Sequence, residues 1–181
     1  MANVAMPEGL TNQDLECVMI DLEPFDIRKA AADIWDEEHL FYGYVPELKY
    51  AQGPVGEAEA HVTLLFGIHP SVDYEERVYT VLDGWDLPPI LIDSVGTFPS
   101  TIEGQDYVCV VAHVVPDQLL VIGNKRLQVL PHTNRFTEYR PHVTLAYLKG
   151  MAPVQAYVDR FESAFAHTIH HPLALNLGQD D

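Results

Sequence analysis

The chain has 181 residues, 48% hydrophobic and 20% charged, which is the composition of one globular domain and excludes a disordered polypeptide. Ten Lys and Arg against 27 Asp and Glu leave a net charge of −17, which disfavours tight binding to the backbone of a long nucleic acid. Two cysteines, Cys17 and Cys109, exclude a disulfide scaffold and suit a reducing cytosol, and no apolar run reaches the roughly 20 residues of a membrane-crossing helix.

Cys17–Leu22 (CVMIDL) has the length of a buried strand and stops before Pro24. Asp26 can then cap a helix with the apolar stripe Ile27, Ala30, Ala31, Ile34 and Trp35. Gly43, Pro46, Gly53, Pro54 and Gly56 punctuate a long loop over 41–58, of a length that serves a site or moves. Glu59–Ile68 (EAHVTLLFGI) is the next strand. Ser71 caps a helix reaching to about Trp85, with Asp73 in its first turn and Val72, Val78, Tyr79 and Leu82 facing inward.

Two strands follow, Pro89–Phe98 and Asp106–Val115, and then a helix from Asp117 to about Val129 that carries Leu119, Leu120 and Leu127. Arg140–Leu148 is a strand, Val154–Phe165 a helix through Tyr157, Val158, Phe161 and Phe165, and His171–Leu177 a last strand. The elements lack a βαβ rhythm, so the expected class is α+β with largely antiparallel sheets. One domain spans 1–181, with its ordered core over 17–177 and fraying termini.

One tetrapeptide recurs. His61-Val62-Thr63-Leu64 and His142-Val143-Thr144-Leu145 stand 81 residues apart, each in a strand that leads into a helix, as a duplicated lobe would look. Alternation along a strand puts His61 and Thr63 on one face and Val62 and Leu64 on the other, and likewise for the second copy. The Val and Leu belong to the core. If the lobes are related by a twofold axis, both His-Thr pairs line one cleft. Two imidazoles there suit phosphodiester chemistry, one taking a proton from the attacking oxygen and the other giving one to the leaving oxygen. The hydroxyls of Thr63 and Thr144 can donate to non-bridging phosphate oxygens. The ordinary alternative is a pair of strands whose His and Thr merely face water.

On these residues the chain resembles the 2H phosphoesterase superfamily, defined by two His-x-Thr/Ser motifs. Val95-Gly96-Thr97-Phe98-Pro99 resembles the Gly-x-Phe strand of the 2′-5′ RNA ligase-like (LigT-like) branch, and the helix running into Arg140-Pro141-His142 resembles that branch's approach to its second motif. The resemblance implies a two-lobed, pseudo-symmetric fold of intertwined lobes. It also implies metal-independent cleavage of a small nucleotide phosphodiester, with His61, Thr63, His142 and Thr144 as the catalytic set, His61 and His142 sharing the acid and base roles in an order left open. Tyr147 stands where such ligase-like enzymes usually carry a basic residue. That departure and the acidity favour a 2′,3′-cyclic nucleotide, a 2′-5′ linkage or a cyclic oligonucleotide over an RNA tail. A phage-encoded branch that degrades the cyclic oligonucleotides of bacterial anti-phage signalling is compatible with such a chain. The alternatives are a protein that sequesters a nucleotide without cleaving it and an RNA-end-processing enzyme.

The expected partner is therefore a small nucleotide or cyclic oligonucleotide, with no cofactor, metal, membrane or long nucleic acid. Nucleobase stacking calls on Tyr42, Tyr44, Phe98, Phe136 and Tyr139, of which Tyr44, Phe98 and Tyr139 are the candidates carried forward. Lys125, Arg126, Arg135, Arg140 and Lys149 face a single acid, Glu138, making that segment +4; Arg140 and Lys149 flank the motif and can neutralise phosphate. His167, His170 and His171 read as a solvated tail, and His69, His113 and His132 as isolated structural or surface groups.

Overall fold

The computed structural model describes residues 2–42, 60–100, 104–136 and 138–178. The strands are β1 Glu16–Leu22, β2 His61–Ile68, β3 Ile90–Pro99, β4 Tyr107–Val114, β5 His142–Lys149, β6 Ile169–His170 and β7 Pro172–Asn176. The helices are α1 Ile27–Ala30, α2 Tyr74–Val81, α3 Gln118–Leu127 and α4 Val154–Phe165. All strand pairs are antiparallel and form two sheets, ordered β2-β1-β7 and β5-β4-β3-β6. Each tetrapeptide thus lies on an end strand of its sheet, and β2 and β5 pack against each other.

One apolar cluster runs through both sheets, including Ile20, Val62 and Leu64 from the first and Val110, Val143 and Leu145 from the second, with Leu120, Tyr157 and Phe161 from the helices. The expected inward residues of α4 are all buried. Asp117 caps α3 by accepting from Leu120 N at 3.0 Å.

Four local expectations are corrected. The first helix ends at Ala30, because the Tyr157 hydroxyl takes hold of the next segment: it donates to the Ile34 carbonyl (3.1 Å) and accepts from Asp36 N (3.3 Å). In α2 the inward residues are Tyr74, Val78 and Leu82, whereas Val72 and Tyr79 are exposed; Ser71 lies outside the helix and Asp73 is its N-terminal flank. The last strand is two: β6 joins β3 and β7 joins β1, so residues 169–176 cross from one sheet to the other. His170, expected in a solvated tail, stacks on Phe25 with ring centroids 4.3 Å apart.

Candidate active site

The tetrapeptides repeat in three dimensions. In the first sheet Asp21 faces His61, Met19 faces Thr63 and Cys17 faces Phe66. In the second, His113 faces His142, Val111 faces Thr144 and Cys109 faces Tyr147. Between these pairs both motif strands carry one extra residue, Leu64 in β2 and Leu145 in β5, so each tetrapeptide ends in a β-bulge. The bulge changes which later side chains share the motif face: Phe66 in β2, and Tyr147 and Lys149 in β5, stand opposite odd-numbered neighbours as the histidines do. At the first bulge a buried amide meets the backbone: Asn124 Nδ2 donates to Leu64 O at 2.7 Å.

His61, Thr63, His142 and Thr144 are all half-buried, while Val62, Leu64, Val143 and Leu145 are fully buried, as the alternation requires. The His142 ring is fixed by its Nδ1, 2.9 Å from the Arg140 carbonyl. A carbonyl only accepts, so Nδ1 carries the hydrogen and Nε2 holds the lone pair of the neutral ring. Burial pushes the pKa of His142 below the ordinary histidine value, and the nearby His113 and His61 push the same way against the opposing Arg140 carbonyl. The strand of His61, β2, packs beside that of His142, β5. Cys109 Sγ lies 3.9 Å from Thr144 Oγ1 as a weak donor, and burial raises its thiol to about 11, so it stays protonated at neutral pH.

Phe98 lies nearly perpendicular to His142 (centroids 5.0 Å, 87°) and to His113 (5.7 Å, 71°). Tyr139 donates its hydroxyl to the Thr63 carbonyl at 2.9 Å, tying the approach to the second motif onto the strand of the first. Arg140 is exposed and pairs with Glu138 at 2.8 Å. Lys149 is half-buried on the motif face, opposite Tyr107. Tyr42 donates to Glu37 at 3.0 Å, and Arg135 lies over the exposed Phe136 ring. Tyr44 lies outside the described residues. No group of three or more His, Cys, Asp or Glu able to hold a metal occurs among the described residues.

Two residues beside the motifs, Asp21 and Asn124, were not singled out by sequence reasoning, and a third, His113, was read as an isolated structural or surface group. His113 in particular is no isolated surface group, because the register sets it directly across from His142. A signal for two of them was present. Cys17-Val18-Met19-Ile20-Asp21 and Cys109-Val110-Val111-Ala112-His113 share the Cys-Val start and end on an ionisable residue four positions later.

No protein-family model matches the chain. No curated protein matches it in sequence. A solved structure of Usb1 from Kluyveromyces marxianus is similar in fold, with a TM-score of 0.53 at 9% identity, covering 93% of this chain and 96% of that one. A second structure of that protein, with uridine monophosphate, gives a TM-score of 0.49 at 10% identity over the same shares. The expected α+β class with largely antiparallel sheets is the fold observed, and it is the fold of that Usb1 structure.

Proposed function

We propose that this chain hydrolyses a small nucleotide phosphodiester, with His142 as general base and His61 as general acid. One observation carries the reading: the two His-x-Thr segments occupy adjoining end strands of two sheets, in matching register and with matching bulges. A repeat kept only for folding has no need to keep an ionisable ring and a hydroxyl on the side away from the core.

In the proposed step, a water oxygen attacks phosphorus while its proton passes to His142 Nε2. The bond from phosphorus to the departing oxygen breaks, and that oxygen takes a proton from the imidazolium of His61. One proton is accepted and one given, and exchange with solvent resets both rings. Thr63 and Thr144 donate to the non-bridging oxygens; because Thr144 accepts from Cys109, its own hydrogen is directed elsewhere. Lys149 is the cation whose register puts it on the same face, and Arg140 serves only by leaving Glu138. Phe98 and Tyr139 shape the walls around His142 and Thr63, with Tyr44 as a further stacking candidate. The substrate class is a 2′,3′-cyclic phosphate, a 2′-5′ linkage or a cyclic oligonucleotide; the net charge of −17 favours a ligand with few phosphates.

The test is a panel of cyclic mono-, di- and trinucleotides and 2′,3′-cyclic nucleotides, incubated with EDTA and separated by chromatography. The reading expects at least one class to be cleaved, with a loss of about 10²–10⁴-fold in His61→Ala and in His142→Ala. Recovery of every compound intact, including from a protein that binds it, contradicts hydrolysis.

A further inference from the structure

Behind the motifs the two halves agree position by position, with one difference in charge type. Cys17 corresponds to Cys109, and the apolar Met19 to the apolar Val111. The position facing the motif histidine is Asp21 in the first half and His113 in the second. Directly opposed residues of an antiparallel pair have Cβ atoms about 4.5–5.5 Å apart. One histidine therefore faces a carboxylate, held by Asn176 Nδ2 at 3.2 and 3.3 Å, and the other faces a second imidazole.

A glycine leaves room for His113. Its ring lies over Gly96 of β3, where a Cβ would stand 2.6 Å from His113 Nε2, so a side chain there would collide with it. Phe98, two residues on, stands perpendicular to both the His113 and His142 rings and fixes them together.

We propose that His113 is a positioning residue for the base: seated across the ladder from His142, it disfavours a second positive charge there and thereby gives His142 the base role and leaves the acid role to His61. This rests on the two-histidine reading above. Among the described residues, the titratable and charged groups around His142 are His113 and Cys109 from β4 and His61 from β2, together with Glu138, Tyr139 and Arg140 on its own segment, while Lys149 stands at the far end of β5. β3 contributes Ser94, Gly96 and Phe98, none of which titrates near neutrality. Of the two imidazoles acting on His142, His113 has the larger influence.

The experiment follows the His142 Cε1–H resonance in the free protein by NMR over a range of about pH 4 to 9, with the peak assigned by its absence in His142→Ala. Wild type is compared with His113→Gln and with His113→Asp, which gives the second half the residue type of the first. The expected midpoint rises by about half a pH unit or more in His113→Gln and further in His113→Asp. Gly96→Ala, which displaces the ring without changing its charge, moves the midpoint in the same direction and serves if a His113 variant does not fold. A midpoint unchanged in the folded variants, or lowered, overturns the proposal. No substrate is involved, so an inactive wild-type protein sinks the hydrolase reading without altering this result.

Discussion

A carbonyl at 2.9 Å from Nδ1 does for His142 what a carboxylate does for many catalytic histidines: it selects one tautomer and aims the other nitrogen outward. Burial and two neighbouring imidazoles add a bias toward the neutral ring. The sign of the pH dependence follows. The rate constant kcat/KM should rise on the acidic side with a midpoint below about 6.5, the ordinary histidine value, as His142 loses its proton in the free enzyme. A pH–rate profile with its acidic limb above that value contradicts the assignment of His142 as base. Stability runs the same way: between the folded midpoint and about 6.5 the unfolded chain binds a proton that native His142 does not, so this group's contribution is present above that window and lost as pH falls through it. At this scale the sequence displays His61, Thr63, His142 and Thr144 openly, because a repeated motif is visible without coordinates. Asp21 and His113 were hidden because alternation gives the face of a residue but not its neighbour across the ladder. That neighbour comes from register, and register here is interrupted by bulges.

Among the elements, α3 contributes to the site without touching it. It follows β4 of one sheet yet packs on β2 of the other, and its Asn124 amide donates to the Leu64 carbonyl at the bulge. Asn124→Leu removes that donor from a buried carbonyl and should cost about 1–3 kcal/mol, read by urea denaturation. It should also lower kcat, because the bulge is what sets Thr63 against the residues that follow it. An unaltered midpoint of unfolding would show that the bulge does not depend on this bond. The strands β1 to β5 and α4 were legible from apolar spacing alone, since nothing competes with the core for Tyr157, Val158, Phe161 and Phe165. The first helix was not, because its continuation through Ile34 and Trp35 yields to the Tyr157 hydroxyl, a partner more than 120 residues away. Val72 and Tyr79 misled for simpler reasons: Val72 precedes the helix, and Tyr79 is an apolar residue on a short helix that fits the stripe without being in the core.

Taken whole, the molecule sets a single apolar cluster beneath two sheets whose end strands adjoin, and presents the polar residues of both motifs from those strands. Around that face lies a surface of net charge −17. Such a field repels polyphosphates over a distance set by salt, with a Debye length of about 30 Å at about 0.01 M and about 8 Å at about 0.15 M. Cleavage of a longer oligonucleotide should therefore speed up across that range more than cleavage of a cyclic dinucleotide does; equal salt responses would count against charge as the filter for substrate length. The claim beneath all of this is that two rings from distant parts of the chain act on one phosphorus atom. Single-turnover rates of His61→Ala, His142→Ala and the double variant examine it most directly, because groups that act as a unit are strongly non-additive. The account predicts that each single change costs about 10²–10⁴-fold and that the double variant is hardly slower than the slower single one. Losses that multiply, or a single variant that turns over at the wild-type rate, would show that the two histidines do not share a reaction.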